Sequence, residues 1–162
     1  MSDLLIKAPI TYELLRKNRF ILRFPSDLGI QEWWVSSCSR PGITQNATEI
    51  PFFNTSNYVV GRYNWEDINI TLKDPIGPSA SQAVMEWVRL HSESVTGRQG
   101  YAVAYKRDLI LEMCDPTGTS ISQWIIKEAM ITSAKFSELD YSGDDLATID
   151  LTIKPYYCIL SY

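Results

Sequence analysis

Tyr63-Asn-Trp-Glu-Asp-Ile-Asn-Ile-Thr-Leu-Lys-Asp-Pro75 decides the fold. Within it Ile68, Ile70 and Leu72 alternate with Asp67, Asn69, Thr71 and Lys73, the period-two pattern of a strand with one buried face. Asp74-Pro75 stops that strand, because proline fixes φ and has no amide to donate to a ladder. Trp65–Lys73 is therefore expected as one strand. Just upstream, Thr48–Tyr63 is long, rich in aromatic and β-branched residues and poor in charge. A lone domain seldom leaves Ile50, Phe52, Phe53, Tyr58 and Val59 uncovered in a surface segment. The pattern reads as a chain that assembles rather than one that catalyses, with these five residues against a neighbouring subunit.

Working outward, Asn18–Phe24 reads as a first strand with Phe20, Leu22 and Phe24 on one face. Glu32–Cys38 follows a Pro25-to-Gly29 turn as a second strand. In a strand, Trp33 and Trp34 point to opposite faces, so one ring enters the core and the other is either covered by a neighbouring subunit or a partly buried surface ring; the apolar segment that follows favours a neighbour, with Trp34 in that role. Residues 1–17 are expected as an arm, with Thr11 capping a short helical turn that carries Leu14 and Leu15, and residues 18–162 as the domain. The Thr48–Tyr63 segment has room for a hairpin, Thr48–Phe53 with Tyr58–Arg62.

Beyond Pro75, Ser79 and Gln82 have capping-box spacing. Ala80, Ala83, Val84, Trp87 and Val88 then recur at helical spacing, with Val84, Trp87 and Val88 on the face turned to the core. Gly97 closes this region, with His91 as an earlier stopping point. Asp108–Cys114 reads as a strand and Asp115-Pro-Thr-Gly118 as a tight turn. Ser122–Glu138 and Leu146–Tyr157 read as two long strands. The chain is mainly β, an antiparallel barrel or sandwich of about seven strands with one flanking α-helix, since nothing alternates strand with helix.

Length, 162 residues, fits one domain. Five Trp and nine Tyr lean towards β-structure and interfaces. The net charge of −4 argues against the basic footprint of a nucleic-acid binder. Cys38, Cys114 and Cys158 are odd in number and widely spaced, without disulfide or zinc spacing, and read as small buried hydrophobes. No signal-peptide pattern opens the sequence, and its apolar runs fall short of the ~20 residues a membrane helix needs. Without a secretory route the acceptor patterns at Asn46, Asn54 and Asn69 carry no meaning, and the chain reads as made in the cytosol.

Catalytic chemistry is scarce. His91 is the single near-neutral acid–base group and lies where a protonated imidazole could meet the carbonyls of a helix end. There is no Gly-x-Ser-x-Gly elbow, Walker loop or dinucleotide fingerprint. Gly97-Arg-Gln-Gly100 matches an RNA-clamping loop without its basic surroundings. Glu138, Asp140, Asp144 and Asp145 cluster without the calcium-loop pattern and read as a solvated turn. No enzyme activity, cofactor or metal is expected. A soluble β-barrel ligand carrier or small enzyme would explain the strands but leave Thr48–Tyr63 without a role.

Three features in this order carry a family resemblance: Asn18-Arg-Phe-Ile-Leu-Arg-Phe24, the small-residue loop Ser36-Ser-Cys-Ser-Arg-Pro-Gly42, and the Trp65-x-Asp-Ile-x-Ile-Thr-Leu-x-Asp74 strand running into a helix with Glu86-Trp87. Over roughly Asn18 to Tyr157 the chain resembles the tail tube proteins of contractile-tailed bacteriophages. The resemblance implies six copies in a ring sharing a twenty-four-stranded inner barrel, with rings stacked into a tube inside a contractile sheath. Such a tube in the virion holds the tape-measure protein, meets baseplate and tail-terminator proteins at its ends, and passes duplex DNA without binding it specifically. With strands ~4.8 Å apart and tilted up to ~45°, such a barrel has a backbone diameter of roughly 35–50 Å. Baseplate, tube-terminating and injection-system tube proteins of the same fold fit the resemblance too. A wall of acidic and neutral side chains is expected, since a cationic one would bind the duplex.

Overall fold

The computed structural model describes residues 13–162. Its strands are β1 (Phe20–Arg23), β2 (Val35–Cys38), β3 (Ile43–Phe52), β4 (Thr55–Trp65), β5 (Ile68–Lys73), β6 (Arg107–Cys114), β7 (Ser120–Phe136), β8 (Thr148–Lys154) and β9 (Tyr157–Ser161). Helix α1 (Ala80–His91) and the short α2 (Ala102–Tyr105) lie between β5 and β6. All pairings are antiparallel, in the order β1-β6-β7-β8-β5-β2, with β9 also on β7 and β3 paired, among the described residues, only with β4.

The 17-residue β7 belongs to two sheets. Up to Ala129 it pairs with β6 on one side and, over Gln123–Lys127, with β9 on the other; from Met130 it pairs with β8. At the change of partner, Glu128 takes φ 50°, a left-handed value that non-glycine residues avoid. Asp108 holds it there. Its Oδ1 accepts the Glu128 amide at 2.9 Å, and its Oδ2 meets Lys127 Nζ at 3.1 Å. One sheet is thus β1, β6, β9 and the first half of β7; the other is β2, β5, β8 and the second half.

The core fills the space between them. Leu22, Leu109, Leu111 and Ile126 come from the first sheet, and Ile68, Ile70, Leu72, Ile149, Leu151 and Ile153 from the second. Burying each such side chain contributes about 1.5–3 kcal/mol. Helix α1 adds Ala80, Ala83, Val84 and Trp87, with Val88 partly buried beside them. Its start is fixed twice. Ser79 Oγ accepts the Gln82 amide at 3.3 Å, and Asp74 at the end of β5 accepts both the amide and the hydroxyl of Ser81. Gln82 does not complete a capping box; its side chain reaches Glu86 instead.

Several sequence expectations need correction. Glu32–Cys38 is not one strand: Glu32–Trp34 is a 3-10 turn closed by the Trp34 amide on Gln31 O at 3.2 Å, and the strand begins at Val35. Trp65–Lys73 breaks at Glu66-Asp67, which separates β4 from β5. The hairpin is longer than expected on both strands. Leu146–Tyr157 is interrupted at Pro155, which cannot donate to the ladder; β8 stays on β7's second half and β9 returns to its first. Helix α2 carries too short a pattern to read. Leu14 and Leu15 are exposed and not helical, and Thr11, with most of the expected arm, lies outside the described residues.

Candidate assembly surfaces

β2 runs on into β3, and β4 into β5, so residues 35–73 form a long two-stranded ribbon. Its proximal half, β2–β5, belongs to the second sheet; its distal half, β3–β4, pairs with no other described strand. Ladder alternation sorts the distal residues. Thr48, Ile50, Phe52, Thr55, Asn57 and Val59 share one face. Ala47, Glu49, Pro51, Ser56, Tyr58 and Val60 share the other, where Ser56 Oγ donates to Glu49 Oε1 at 2.6 Å. At the tip Phe52 and Phe53 meet edge to face with centroids 5.2 Å apart. Phe53 is 94% exposed and Phe52 72%, and Ile50, Tyr58 and Val59 are exposed as well. Pro51, at the distal end, cannot donate to any ladder.

The second sheet offers two further surfaces. Among the described residues β2 pairs with no strand but β5, and β7 from Met130 onward with no strand but β8, so this four-stranded sheet has a strand-free edge on each side, the β7 edge met at Ile131 by the His91 ring. Its face away from the core carries Ser37, Asn69, Thr71, Lys73, Ser133, Lys135, Thr148, Asp150 and Thr152 by register. Thr71 Oγ1 donates to Asp150 Oδ1 at 3.0 Å, and Thr152 Oγ1 to Asn69 Oδ1 at 3.4 Å. Lys154, at the margin, is held by the Trp65 carbonyl at 2.8 Å and by Asp67 at 3.5 Å. The face is rich in hydroxyls, with Lys135 opposite Asp150 and Lys73 opposite Thr148 in register.

Trp34 must be reassigned. It is fully buried (0% exposed) in the chain's own core, and Trp33 is the outward ring at 61%. The 3-10 turn brings Trp34 inward, so strand alternation does not apply to the pair. Sequence reasoning also passed over Val60 and Tyr63 of β4, and over Val95, Tyr101 and Val103 between α1 and β6, all exposed. Val60 had a signal, since it continues the apolar run of Tyr58-Val59.

Among the described residues no three or more His, Cys, Asp and Glu side chains gather as a metal site, and no helix is long and apolar enough to cross a membrane. His91 meets a carbonyl of the helix end, as its sequence position suggested, through Nδ1 and Trp87 O, and its Nε2 is engaged in addition by the Ile131 amide. Asp140 binds the Ser142 amide and hydroxyl within its own turn, which holds its carboxyl below the usual range. Burial pushes the thiol of Cys38 up to about 12 and that of Cys158 to about 11, leaving both largely protonated at neutral pH.

A family model described as T4-like virus tail tube protein gp19 matches residues 16–157. Among solved structures, the anti-feeding prophage tube-terminating cap has a TM-score of 0.73 at 18% identity, with 99% of each chain covered. A chain of the PVC extracellular contractile injection system sheath-tube complex in its extended state gives 0.73 at 18% identity, over 94% of this chain and 93% of that one. A chain of the anti-feeding prophage baseplate gives 0.65 at 10% identity, over 93% and 97% respectively. At these identities the likeness is one of fold. No curated protein matches the chain.

Proposed function

The chain belongs to the T4-like virus tail tube protein family, and on that premise we propose that it is a structural subunit of a hollow tube and carries out no chemistry. The observation that carries this reading is the pair of open edges on one four-stranded sheet. An open edge presents unpaired amides and carbonyls to any complementary strand. Two edges on opposite sides of one sheet are different surfaces, so their pairing is head-to-tail and closes into a ring when the rotation allows. Six copies of four strands make the twenty-four-stranded barrel of the resemblance. The core face of the sheet is already covered, so its polar face turns inward and lines the bore.

Rings then stack through the β3–β4 hairpin, whose Ile50, Phe52, Phe53, Tyr58 and Val59 bury against a neighbouring copy, with Trp33 taking the outward role first given to Trp34. The tube belongs to a contractile particle made in a bacterial host. A sheath surrounds it, a tape-measure protein occupies the bore before the genome passes, and baseplate and terminator proteins meet its ends. The bore face carries five hydroxyls, one amide, two lysines and one aspartate in each copy, a small positive excess spread among hydroxyls, which gives duplex DNA no continuous basic track to hold. A tube-terminating subunit is the second reading, favoured by the full-length fold match to a tube cap.

Phe52→Ser with Phe53→Ser tests the reading. The monomer is expected to keep its thermal transition, because both rings lie outside the core, while tubes seen by negative-stain microscopy disappear. Tubes of normal length from this variant would remove the hairpin from the interface; a wild-type chain that stops at single rings would favour the terminator.

A further inference from the structure

Where β7 leaves β6 and turns onto β8, its outward edge is taken up at one point by a side chain. The Ile131 amide donates to His91 Nε2 at 3.1 Å. That amide can only donate, so Nε2 is the bare, accepting nitrogen and Nδ1 carries the proton, which it gives to the Trp87 carbonyl at 2.9 Å. The ring lies over Tyr105 of α2, centroids 4.4 Å apart and planes 22° from parallel. The Trp87 indole in turn donates to the Tyr105 carbonyl at 2.8 Å. One imidazole therefore joins the last turn of α1, helix α2 and the edge of β7.

We propose that His91 is a proton-operated tie between helix α1 and β7, closed when the ring is neutral and opened by one proton at Nε2. Protonation turns the acceptor into a donor that faces the Ile131 N–H, so two donors oppose each other and the amide is released. The groups packed around the ring carry both signs. β6 presents Arg107, held by Asp27 at 2.8 Å. From α2's end Lys106 pairs with Glu128 of β7 at 3.5 Å, and α2 itself offers the Tyr105 phenol. Burial holds the imidazole below the usual histidine range, Trp87's carbonyl opposes that shift, and the Arg107 charge adds to it. The unfolded chain then takes up its proton near pH 6.5 and the folded one only lower. Stability is constant above that value and falls as pH drops below it, until the folded group titrates as well. The edge concerned is the one the tube reading gives to a neighbouring strand, but the tie lies within one subunit and its test needs no assembly.

His91 is the chain's single histidine, so nuclear magnetic resonance of ring-labelled protein reads it directly in the dilute whole chain. The expected result is the Nδ1–H tautomer at neutral pH and a midpoint below that of free histidine. Exchange protection at the Ile131 amide, after correction for the intrinsic pH dependence, should be lost in step with that titration. A second measurement compares thermal midpoints of the wild type and His91→Gln between pH 7 and 5, where only the wild type should fall steeply. The Nε2–H tautomer, an ordinary midpoint near 6.5, or an Ile131 amide indifferent to the titration overturns the tie, whether or not the Gln variant folds.

Discussion

Two adjacent tryptophans show how a single residue's place depends on local backbone. Trp34 is buried among the core and Trp33 stands in solvent. The sequence Glu32-Trp-Trp-Val-Ser-Ser-Cys38 has strand composition, and nothing in it announces a 3-10 turn through the first three residues. Trp34→Ala should destabilise the monomer by about 3–5 kcal/mol, as truncating a buried aromatic does, whereas Trp33→Ala should stay within ~0.5 kcal/mol. Urea denaturation of both variants checks this. The buried Trp34 indole N–H has no acceptor among the described residues, so Trp34→Phe should cost much less than Trp34→Ala, since it also removes an unpaired donor. Asp108 belongs to the same scale. The Glu128 amide, aided by Lys127, holds its carboxyl below the usual range, so its contribution is present above the ordinary aspartate pKa of about 3.9 and is lost as pH falls through the lower folded value. Asp108→Asn should cost about 1 kcal/mol at pH 7, the exposed setting keeping it small, and the difference from wild type should shrink in strong acid.

At the scale of elements, alternation was the reliable signal wherever one face of a strand is buried. Ile68-Asn-Ile-Thr-Leu-Lys73 and Thr148-Ile-Asp-Leu-Thr-Ile-Lys154 alternate in burial as they do in sequence. The helix was legible from Ser79 and the spacing of Val84 and Trp87. The breaks at Glu66-Asp67 and Pro155 were not placed, because each lies inside a run with continuous strand composition and depends on where the chain must change partners. The hairpin's existence was legible, but its length was not, since no core face sets its period. Its self-contained pairing makes a prediction. Replacing Thr44–Asn64 by Asn-Gly, a two-residue turn suited to a hairpin, keeps Ile43 opposite Trp65 and the Trp65–Trp124 contact. The shortened chain should fold with a thermal midpoint close to wild type and yield no tubes. A large fall in midpoint would mean that the hairpin supports the body.

For the whole molecule, the apolar segment in the sequence pointed to assembly, but the open edges of the second sheet became visible only with the topology. In the proposed arrangement the bore also differs from the acidic and neutral wall expected from composition. Overall acidity does not describe a particular face, and the polar sheet face carries two lysines and one aspartate amid hydroxyls. Without a continuous basic stripe, duplex binding at moderate salt should be undetectable or very weak; a submicromolar affinity that falls steeply with salt would mark a nucleic-acid binder instead. The central claim is that this chain closes its open-edged sheet into rings with the polar face inward. Electron cryo-microscopy of the purified protein, with chelator and reductant present, tests it most directly. The account predicts six-fold rings that stack as concentration rises, with β2 of one copy beside β7 of the next and Asn69, Thr71 and Asp150 on the bore. A monomer at every concentration, or rings whose bore is lined by another surface, would contradict it.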